Sequence, residues 1–141
     1  MKNLALFSSF LLLPFLVPSK ASFKQTMIVS NIAKKGGTLF IGWYNNAADF
    51  REPDKAVMQK KVPVGGRESV AIVFDDVPQG TYAVAIFLDE NDNGKMDTNF
   101  FGIPKERYGF SNNVYPMMRA ATFKESSFVV EKETSFTIKL K

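Results

Sequence analysis

Residues 77–88 read VPQGTYAVAIFL, and this stretch decides the fold of the chain. Residues 78–80 are a Pro-Gln-Gly turn signal, because proline and glycine favour the backbone angles that tight turns need. Residues 81–88 are apolar at nearly every position. A short apolar run bounded by a turn signal predicts a strand that is covered on both faces and lies centrally in a sheet.

Six more short strands are predicted on either side of this stretch, because apolar residues alternate with polar ones at period two. In chain order these strands cover residues 24–32, 38–44, 55–64, 68–75, 128–130 and 136–140. Pro63 places the third strand of the chain at a sheet edge or at a strand exit, since proline has no N–H to donate. No segment of residues 22–141 shows a helical period.

Seven short strands separated by glycine, proline and asparagine predict an all-β fold, a seven-stranded antiparallel β-sandwich. Residues 77–82 resemble the corner of immunoglobulin-like and prealbumin-like sandwiches, where a tyrosine hydroxyl bonds nearby backbone. Tyr82 equally suits a simple core aromatic. A closed barrel is the alternative architecture. No linker or repeat divides residues 22–141, which we interpret as one domain.

The N-terminus has the pattern of an export signal. A lysine precedes residues 4–17, which carry no charge and are too few for the about 20 apolar residues that span a bilayer. Ser19 and Ala21 have the spacing that a signal peptidase accepts. We therefore interpret residues 1–21 as a cleaved signal peptide and predict a periplasmic or secreted protein with no transmembrane span in the mature chain. A buried N-terminal helix is the alternative.

The chain of 141 residues has no cysteine and no histidine, and this composition excludes several kinds of site. Disulfides, thiol nucleophiles, iron–sulfur clusters and Cys-based zinc sites all need cysteine, and a Ser-His-Asp triad needs histidine. The net charge falls from +4 to +2 without residues 1–21, because Lys2 and Lys20 are their only charged residues. No basic and aromatic run points to nucleic acid, and we predict a protein that is not an enzyme.

Residues 89–97 read DENDNGKMD and carry the most specific chemical pattern in the chain. Side-chain oxygens stand at the first, third, fifth and ninth positions of a calcium loop, and the seventh position supplies its backbone carbonyl. Glycine at the sixth position permits the sharp bend. The predicted metal ligands are Asp89, Asn91, Asn93, the backbone carbonyl of Lys95, and Asp97. Phe100 stands where an EF-hand has its bidentate glutamate, so this is not an EF-hand. Asn99 and Glu106 are the nearest candidates for further ligands.

The same loop also fits a plain hairpin turn. Asn93-Gly94 between extended segments is a strong hairpin signal that needs no metal. A bare turn does not require four acidic residues against one lysine, however, and such clustering is repulsive unless a cation relieves it. The sequence therefore leaves both interpretations of this loop open, a calcium-binding loop and a hairpin turn without metal. Calcium is the only cofactor that the sequence suggests, with a dissociation constant of about 10⁻⁴–10⁻³ M.

Residues 98–113 form a long stretch rich in aromatic, glycine and amide residues, with no pattern of a regular strand or helix. Loops of this length are usually functional or disordered, and aromatic residues oppose disorder. The functional interpretation is an ordered surface for a ligand or partner, formed by Phe101, Glu106, Tyr108, Phe110, Asn112 and Asn113. The alternative is that most of the aromatic side chains fold over an open end of the sandwich and plug it.

Residues 77–84, 89–97 and 102–113 together resemble the bacterial domain-of-unknown-function family 2141. The pattern of that family has a Pro-x-Gly-Thr-Tyr strand start, an acidic Asn-Gly-Lys loop and a Gly-Ile-Pro-x-Glu-x-Tyr-Gly-Phe-Ser-Asn block. Weaker similarity covers residues 25–140. The resemblance implies an exported prealbumin-like or fibronectin-like sandwich and no established activity. Residues 121–126 read ATFKES where the family commonly has Pro-Ser-Phe followed by acidic and small residues.

These observations favour an exported, non-enzymatic module that binds an unknown protein or glycan of the cell envelope. In this hypothesis the acidic loop binds calcium or is otherwise held in shape, and it orders the aromatic loop. One alternative is a small glycan hydrolase that uses two of the four nearby carboxylates, since acid–base pairs work without histidine. The four carboxylates are those of Asp89, Asp92, Asp97 and Glu106. Another is a structural envelope subunit that assembles through a sheet edge.

Overall fold

The structure is a computed structural model that describes residues 19–33 and 36–141. Its eight strands are β1 (Ser22–Ser30), β2 (Thr38–Tyr44), β3 (Met58–Pro63), β4 (Ser69–Pro78), β5 (Gly80–Asp89), β6 (Tyr108–Phe110), β7 (Phe128–Val130) and β8 (Thr134–Lys139). Two 3₁₀ turns (Pro53–Lys55 and Ser111–Asn113) and one short helix, α1 (Phe123–Ser126), lie in the connections. The signal-peptide prediction for residues 1–21 falls mainly on residues 1–18, which lie outside the described residues.

The strands form two sheets packed face to face, which confirms the predicted all-β sandwich. One sheet has the order β4-β1-β8, and the other has the order β3-β2-β5-β6, with β7 beside the first residues of β5. The pairs are antiparallel except β1 with β8, which run parallel. The sandwich therefore has eight strands rather than seven and one parallel pair. That pair joins the two ends of the described chain, and local alternation carries no information about such a distant partner.

The additional strand is β6, within the segment that the sequence predicted to be irregular. Tyr108 pairs with Phe87, and Phe110 pairs with Ala85, so the aromatic block adds a strand beside β5. Three residues around a glycine are too few to show a period of two, which is why the pattern missed them. Gly109 is needed there, because a Cβ atom would lie 2.8 Å from Cγ2 of Ile138.

The main core lies between the two sheets, with Trp43 at its centre. The indole ring of Trp43 is buried and contacts the rings of Phe74, Tyr82, Phe128 and Phe136. These rings come from both sheets, so the indole joins the two layers. Full burial of each large apolar side chain contributes about 1.5–3 kcal/mol, which makes this contact a main source of sandwich stability.

The turn that opens β5 has the tyrosine corner predicted from the sequence. The Tyr82 hydroxyl donates a hydrogen bond to the carbonyl oxygen of Pro78 at 2.9 Å, and burial raises the pKa of that hydroxyl. Gly80 lies under the ring, where an added Cβ would come within 3.2 Å of Cε2 of Tyr82. Both interpretations of Tyr82 are therefore confirmed, since it is a core aromatic whose hydroxyl also bonds nearby backbone.

A second, smaller core lies on the outer face of the five-stranded sheet. It contains Tyr44, Phe50 and Phe110, with Phe123 of α1 packed against them. Thr122 begins α1 with a capping box, in which its side chain accepts from the Glu125 N–H while the Glu125 carboxylate accepts from the Thr122 N–H. The loops on this face are thereby fixed by aromatic packing and by a helix cap.

Candidate functional site

Asp89 ends β5 and lies at the base of the acidic loop. Its side chain is buried at 1% exposure, and one carboxylate oxygen accepts a hydrogen bond from the Asn93 N–H at 3.1 Å. The other oxygen accepts from the Gly94 N–H at 2.7 Å. Gly94 has a φ of 82°, which favours glycine at this bend. Asp89 therefore folds the loop back over the end of its own strand.

The side chains of Asn91, Asn93 and Asp97 converge at the centre of the loop. Nδ2 of Asn91 donates to Oδ2 of Asp97 at 2.6 Å, and Nδ2 of Asn93 donates to Oδ1 of Asp97 at 2.9 Å. These bonds, that of Asn93 first, lower the pKa of Asp97, and the charges of Lys95 and Lys105 act in the same direction. The third, fifth and ninth positions of the predicted calcium loop thus meet at one point.

The oxygens of the two asparagine side chains face the backbone. Oδ1 of Asn91 accepts from the Asn93 N–H at 3.2 Å, and Oδ1 of Asn93 accepts from the Lys95 N–H at 3.0 Å. Asp92 accepts a hydrogen bond from the Thr38 hydroxyl at 3.1 Å, which ties the loop to β2. Across residues 19–33 and 36–141, no three acidic side chains group in a way that would hold a metal ion.

Glu106 joins the acidic loop to the segment that follows it. Its side chain is buried at 7% exposure, and its two oxygens accept hydrogen bonds from the backbone N–H groups of Glu90 and Asp97, each at 2.9 Å. The sequence predicted Glu106 as a calcium ligand or as part of a partner surface. In the structure its carboxylate instead links the second and the last residue of the loop, Glu90 and Asp97.

The segment between the acidic loop and Glu106 is a hairpin, and its backbone is closely hydrogen-bonded. We call residues 97–105 the apolar hairpin. Thr98 and Pro104 form a bridge, and the Lys105 N–H donates to the Asp97 carbonyl at 2.9 Å. Oδ1 of Asn99 accepts from the N–H groups of Phe101 and Ile103 at 2.9 and 3.0 Å. Asn99, which the sequence suggested as a further calcium ligand, therefore fixes the tip of the hairpin.

Two phenylalanine side chains stand at this tip in solvent. Phe100 is 98% exposed and Phe101 is 82% exposed. Their rings pack edge to face, with the two ring centroids 5.5 Å apart. Apolar side chains of this size are normally covered in a folded protein. The structure thus places Phe101 where a ligand or partner can reach it, as the functional interpretation requires, and it adds Phe100.

Phe110 lies away from the predicted surface, whereas Tyr108 is half-buried and lines a groove beside the apolar hairpin. Phe110 is buried in the second core, and Tyr108 packs against Phe110 and Tyr115. Burial raises the pKa of Tyr115 to about 12, and its hydroxyl donates to the Lys139 carbonyl. These aromatic side chains cover the outer face of the five-stranded sheet rather than an open end of the sandwich, while Phe100 and Phe101 stay exposed.

Asn112 and Asn113 tie the end of the segment to the rest of the sandwich. Nδ2 of Asn112 donates to the carbonyl of Ser127 at 2.9 Å, and the Asn112 φ of 64° suits asparagine. Asn113 lies along β8, where its Oδ1 accepts from the Lys139 N–H at 2.7 Å and its Nδ2 donates to the Thr137 carbonyl at 3.0 Å. Both amides therefore bond backbone.

A shallow groove of about 490 Å³ runs between the apolar hairpin and the loop after β6. Its apolar lining comes from Ile103 and Pro104 on the hairpin side and from Pro116 and Met117 on the other. Met117 is 95% exposed and the adjacent Met118 is 93% exposed. Neither methionine was predicted from the sequence to be part of a surface, although two adjacent methionines between a proline and an arginine were a signal that could have found them.

The sequence model of a family described as "Uncharacterized protein conserved in bacteria (DUF2141)" matches residues 27–138. The chain belongs to this family. No curated protein and no solved structure matches it. The match confirms the resemblance drawn from the turn before β5, the acidic loop and the aromatic block.

The DUF2141 motif residues have backbone-bonding roles in this chain. The glutamate of the aromatic block is Glu106, the serine is Ser111, and the first asparagine is Asn112. Ser111 Oγ accepts from the Val84 N–H at 2.8 Å and donates to the Ser126 carbonyl, which fixes the block against β5 and α1. Among the described residues of this DUF2141 protein, no helix has the length and apolar character to cross a membrane.

Proposed function

We propose that this chain is an exported, non-enzymatic module that contacts a protein or glycan of the cell envelope through the apolar hairpin. One observation carries the proposal, namely that Phe100 and Phe101 are exposed at the tip of a hydrogen-bonded hairpin. Burial of each ring in a partner would contribute about 1.5–3 kcal/mol. An ordered tip also binds at lower entropic cost than a flexible one.

The acidic loop serves this function by holding the hairpin in place. Glu106 accepts from the Asp97 N–H at the base of the hairpin, and Asp89 fixes the preceding bend. Hydrogen bonds to a charged acceptor are worth about 1.5–3 kcal/mol, roughly twice those between neutral groups. The buried carboxylates are therefore proposed to orient the phenylalanine side chains outward.

We also propose that the acidic loop takes up a calcium ion. The support is the convergence of Asn91 and Asn93 on Asp97, at the spacing of a calcium loop. Rotation of each amide would turn its oxygen toward the same point. Each amide would then give up its bond to a backbone N–H, which agrees with a weak dissociation constant of about 10⁻⁴–10⁻³ M.

The hydrolase alternative receives less support from the same side chains. A catalytic acid at neutral pH needs a raised pKa, whereas hydrogen bonds lower the pKa of Asp97. Asp89 and Glu106 are buried, and each accepts two backbone N–H groups. These bonds suit acceptors that hold the backbone rather than groups that exchange protons with a substrate.

The edge-assembly alternative also receives little support. The outer edge of β8 is covered by Asn113, which bonds its backbone as a neighbouring strand would. The edge strand β3 carries Lys60, Lys61 and Pro63, residue types that oppose strand addition. Lys60 also donates to the Val73 carbonyl of β4.

Photo-crosslinking in the native bacterium tests the proposed contact surface. A photoreactive phenylalanine analogue replaces Phe101 in one strain and Val129 in another. Val129 is an exposed apolar residue on β7 and serves as the matched control. We expect a defined envelope adduct from position 101 that is absent from position 129. Equal labelling from both positions, or no adduct from position 101, would contradict the proposal.

A further inference from the structure

We propose that the apolar hairpin and the loop holding Met117 and Met118 insert into the surface of an anionic phospholipid bilayer. This inference rests on the part of the proposed function that makes the apolar hairpin a contact surface, and it names a bilayer in place of a protein or glycan as the partner. Four nearly uncovered apolar side chains carry it: Phe100, Phe101, Met117 and Met118. A phenylalanine side chain offers at least about 150 Å² of surface, so the two rings alone present about 300 Å². The largest apolar patch on a typical monomer covers about 300–600 Å² and is often functional, and these two rings alone reach that range.

The two loops lie on the same side of the molecule. Ile103 of the apolar hairpin and Met117 of the other loop face the same groove, next to Pro104 and Pro116. A flat bilayer can therefore be reached by both loops together. All of these side chains lack a polar group, which suits hydrocarbon better than a wet protein interface.

Basic side chains lie behind the apolar tips. Lys105 and Arg107 follow the hairpin tip in sequence, and Lys141 lines the same groove. Lys105 is three residues beyond Gly102 at the tip, which is about 10 Å of extended chain. Interfacial protein segments insert about 5–10 Å, so these cations would reach the phosphate groups while the tips enter the acyl boundary.

The acidic residues nearby do not cancel this arrangement. Glu106 is buried and accepts two backbone N–H groups. The Asp97 carboxylate accepts hydrogen bonds from the side-chain amides of Asn91 and Asn93. Among the residues that line the groove, the three cations Lys105, Arg107 and Lys141 stand against two acids, Glu90 and the buried Glu106. This local excess of positive charge complements anionic headgroups.

The shape of the surface favours a bilayer over a protein pocket. The Phe100 side chain is 98% exposed at a convex tip, whereas the groove beside it is shallow. A protein partner would have to supply a deep apolar cleft for two adjacent rings. A bilayer deforms around such a tip and needs no matched cavity.

Vesicle binding tests this inference directly. The full chain, as a bacterial host processes it, is sedimented with vesicles of mixed phosphatidylcholine and phosphatidylglycerol. The Phe100→Ser/Phe101→Ser double variant is expected to lose at least about tenfold in partition coefficient. Lys105→Gln is expected to lose about fivefold, because each basic residue near an anionic surface contributes on that scale. Val129→Ser, an exposed apolar residue elsewhere, keeps the wild-type value.

Insertion itself has a separate readout. Phe101→Trp places an indole at the tip, while Trp43 stays buried in the core as a constant background. We expect a blue shift of tryptophan emission on vesicle addition and quenching by lipids brominated on their acyl chains. Equal sedimentation of wild type and double variant, or no quenching of the tryptophan, would overturn the inference.

The outcomes separate this inference from the proposed function. A chain that ignores vesicles but gives a protein or glycan adduct from position 101 overturns the bilayer and leaves the binding module intact. A concentration-dependent dimer that the double variant abolishes would assign the surface to a second copy, and it would overturn the bilayer too. Vesicle binding that depends on Phe100 and Phe101 supports the bilayer and the use of the apolar hairpin as a contact surface, and it counts against a protein or glycan as the partner of that surface.

Discussion

Glu106 shows how single residues create the candidate surface. Its carboxylate accepts from the N–H groups of Glu90 and Asp97, which are seven positions apart in the chain. No strand pairing is available for these two N–H groups, so a buried side chain takes its place. A buried N–H without an acceptor is costly, and the glutamate thus stabilises the loop and orients the hairpin.

Glu106→Gln should destabilise the protein by about 2 kcal/mol. The amide keeps the size of the side chain but offers a donor to one of the two backbone N–H groups, which leaves that N–H unpaired. Chemical denaturation of both proteins measures the change. Glu133→Gln is the matched control, because Glu133 makes an exposed ion pair with Lys24 at 3.0 Å. Surface pairs contribute about 1 kcal/mol or less. Equal losses in the two variants would contradict the role of Glu106.

At the scale of single residues, the sequence predicted which side chains lie close together in the acidic loop, but not the hydrogen-bond partners of the candidate site residues. The spacing of Asp89, Asn91, Asn93 and Asp97 correctly placed their side chains in one loop. It could not show that Asn112 and Asn113 bond distant backbone, because their partners lie 13 to 26 positions further along the chain. Phe101 and Phe110 are both aromatic in the same segment, and only the pairing of β6 with β5 separates the exposed ring from the buried one.

The junction between β2 and the acidic loop depends on one glycine. Gly37 has a φ of 103°, and an added Cβ would lie 2.1 Å from the carbonyl oxygen of Asp89. Gly37→Ala must therefore displace the end of β5. We expect a loss of more than about 2 kcal/mol in the free energy of unfolding.

Gly36→Ala provides the matched control for that substitution. A Cβ at position 36 meets nothing within 4 Å. Thermal denaturation of the two variants should show a large decrease in melting temperature for Gly37→Ala and almost none for Gly36→Ala. Similar melting temperatures would mean that the end of β5 is not held where the structure places it.

Calcium should raise the melting temperature through the acidic loop. A free calcium concentration ten times the dissociation constant stabilises by about 1.4 kcal/mol, which is about 5 °C for a domain of this size. Asp97→Asn should abolish the shift, because Asp97 is the charged member of the convergent set. Asp54→Asn, on the exposed 3₁₀ turn, should retain it. No shift of the melting temperature in the wild-type protein would contradict calcium binding by the acidic loop.

Most elements were predictable because their own residues carry the signal. β2, β4 and β5 alternate or run apolar between turns, and their predicted ranges agree with the structure to within a few residues. β6 and the parallel pairing of β1 with β8 were not predictable. Each depends on a partner far away in sequence, which a local period cannot encode.

The whole molecule should lose stability in acid. Hydrogen bonds lower the pKa of Asp97, and the bidentate contact with Arg119 lowers that of Glu125. A lowered folded-state pKa stabilises the protein above the unfolded value of about 4, and this contribution is lost as the pH falls through the folded-state pKa. The melting temperature should be level from about pH 7 to 5 and decline below about pH 4.

A variant isolates the contribution of one of these groups. Glu125→Gln should lower the melting temperature at neutral pH and make the decline in acid shallower, since the amide does not titrate. Melting curves across the pH range measure both effects. An acid decline as steep as that of the wild-type protein would show that Glu125 does not contribute.

At the scale of the molecule, the residues that stabilise the sandwich are different from those that form the proposed contact surface. Trp43 and the tyrosine corner hold the two sheets, while the acidic loop and the aromatic block hold the apolar hairpin at one end. We propose that buried carboxylates keep this hairpin in a fixed outward conformation. Contact with a partner then depends on that fixed conformation.

Amide hydrogen exchange in calcium-free buffer tests this claim most directly. The N–H groups of Phe101 and Ile103 donate to Asn99 in the folded hairpin. We predict that both exchange slowly in the wild-type protein and at least about tenfold faster in Glu106→Gln, while Ile86 in β5 keeps its rate. Unprotected Phe101 and Ile103 amides in the wild-type protein, or unchanged exchange rates in the variant, would contradict the proposed role of Glu106 in fixing the hairpin.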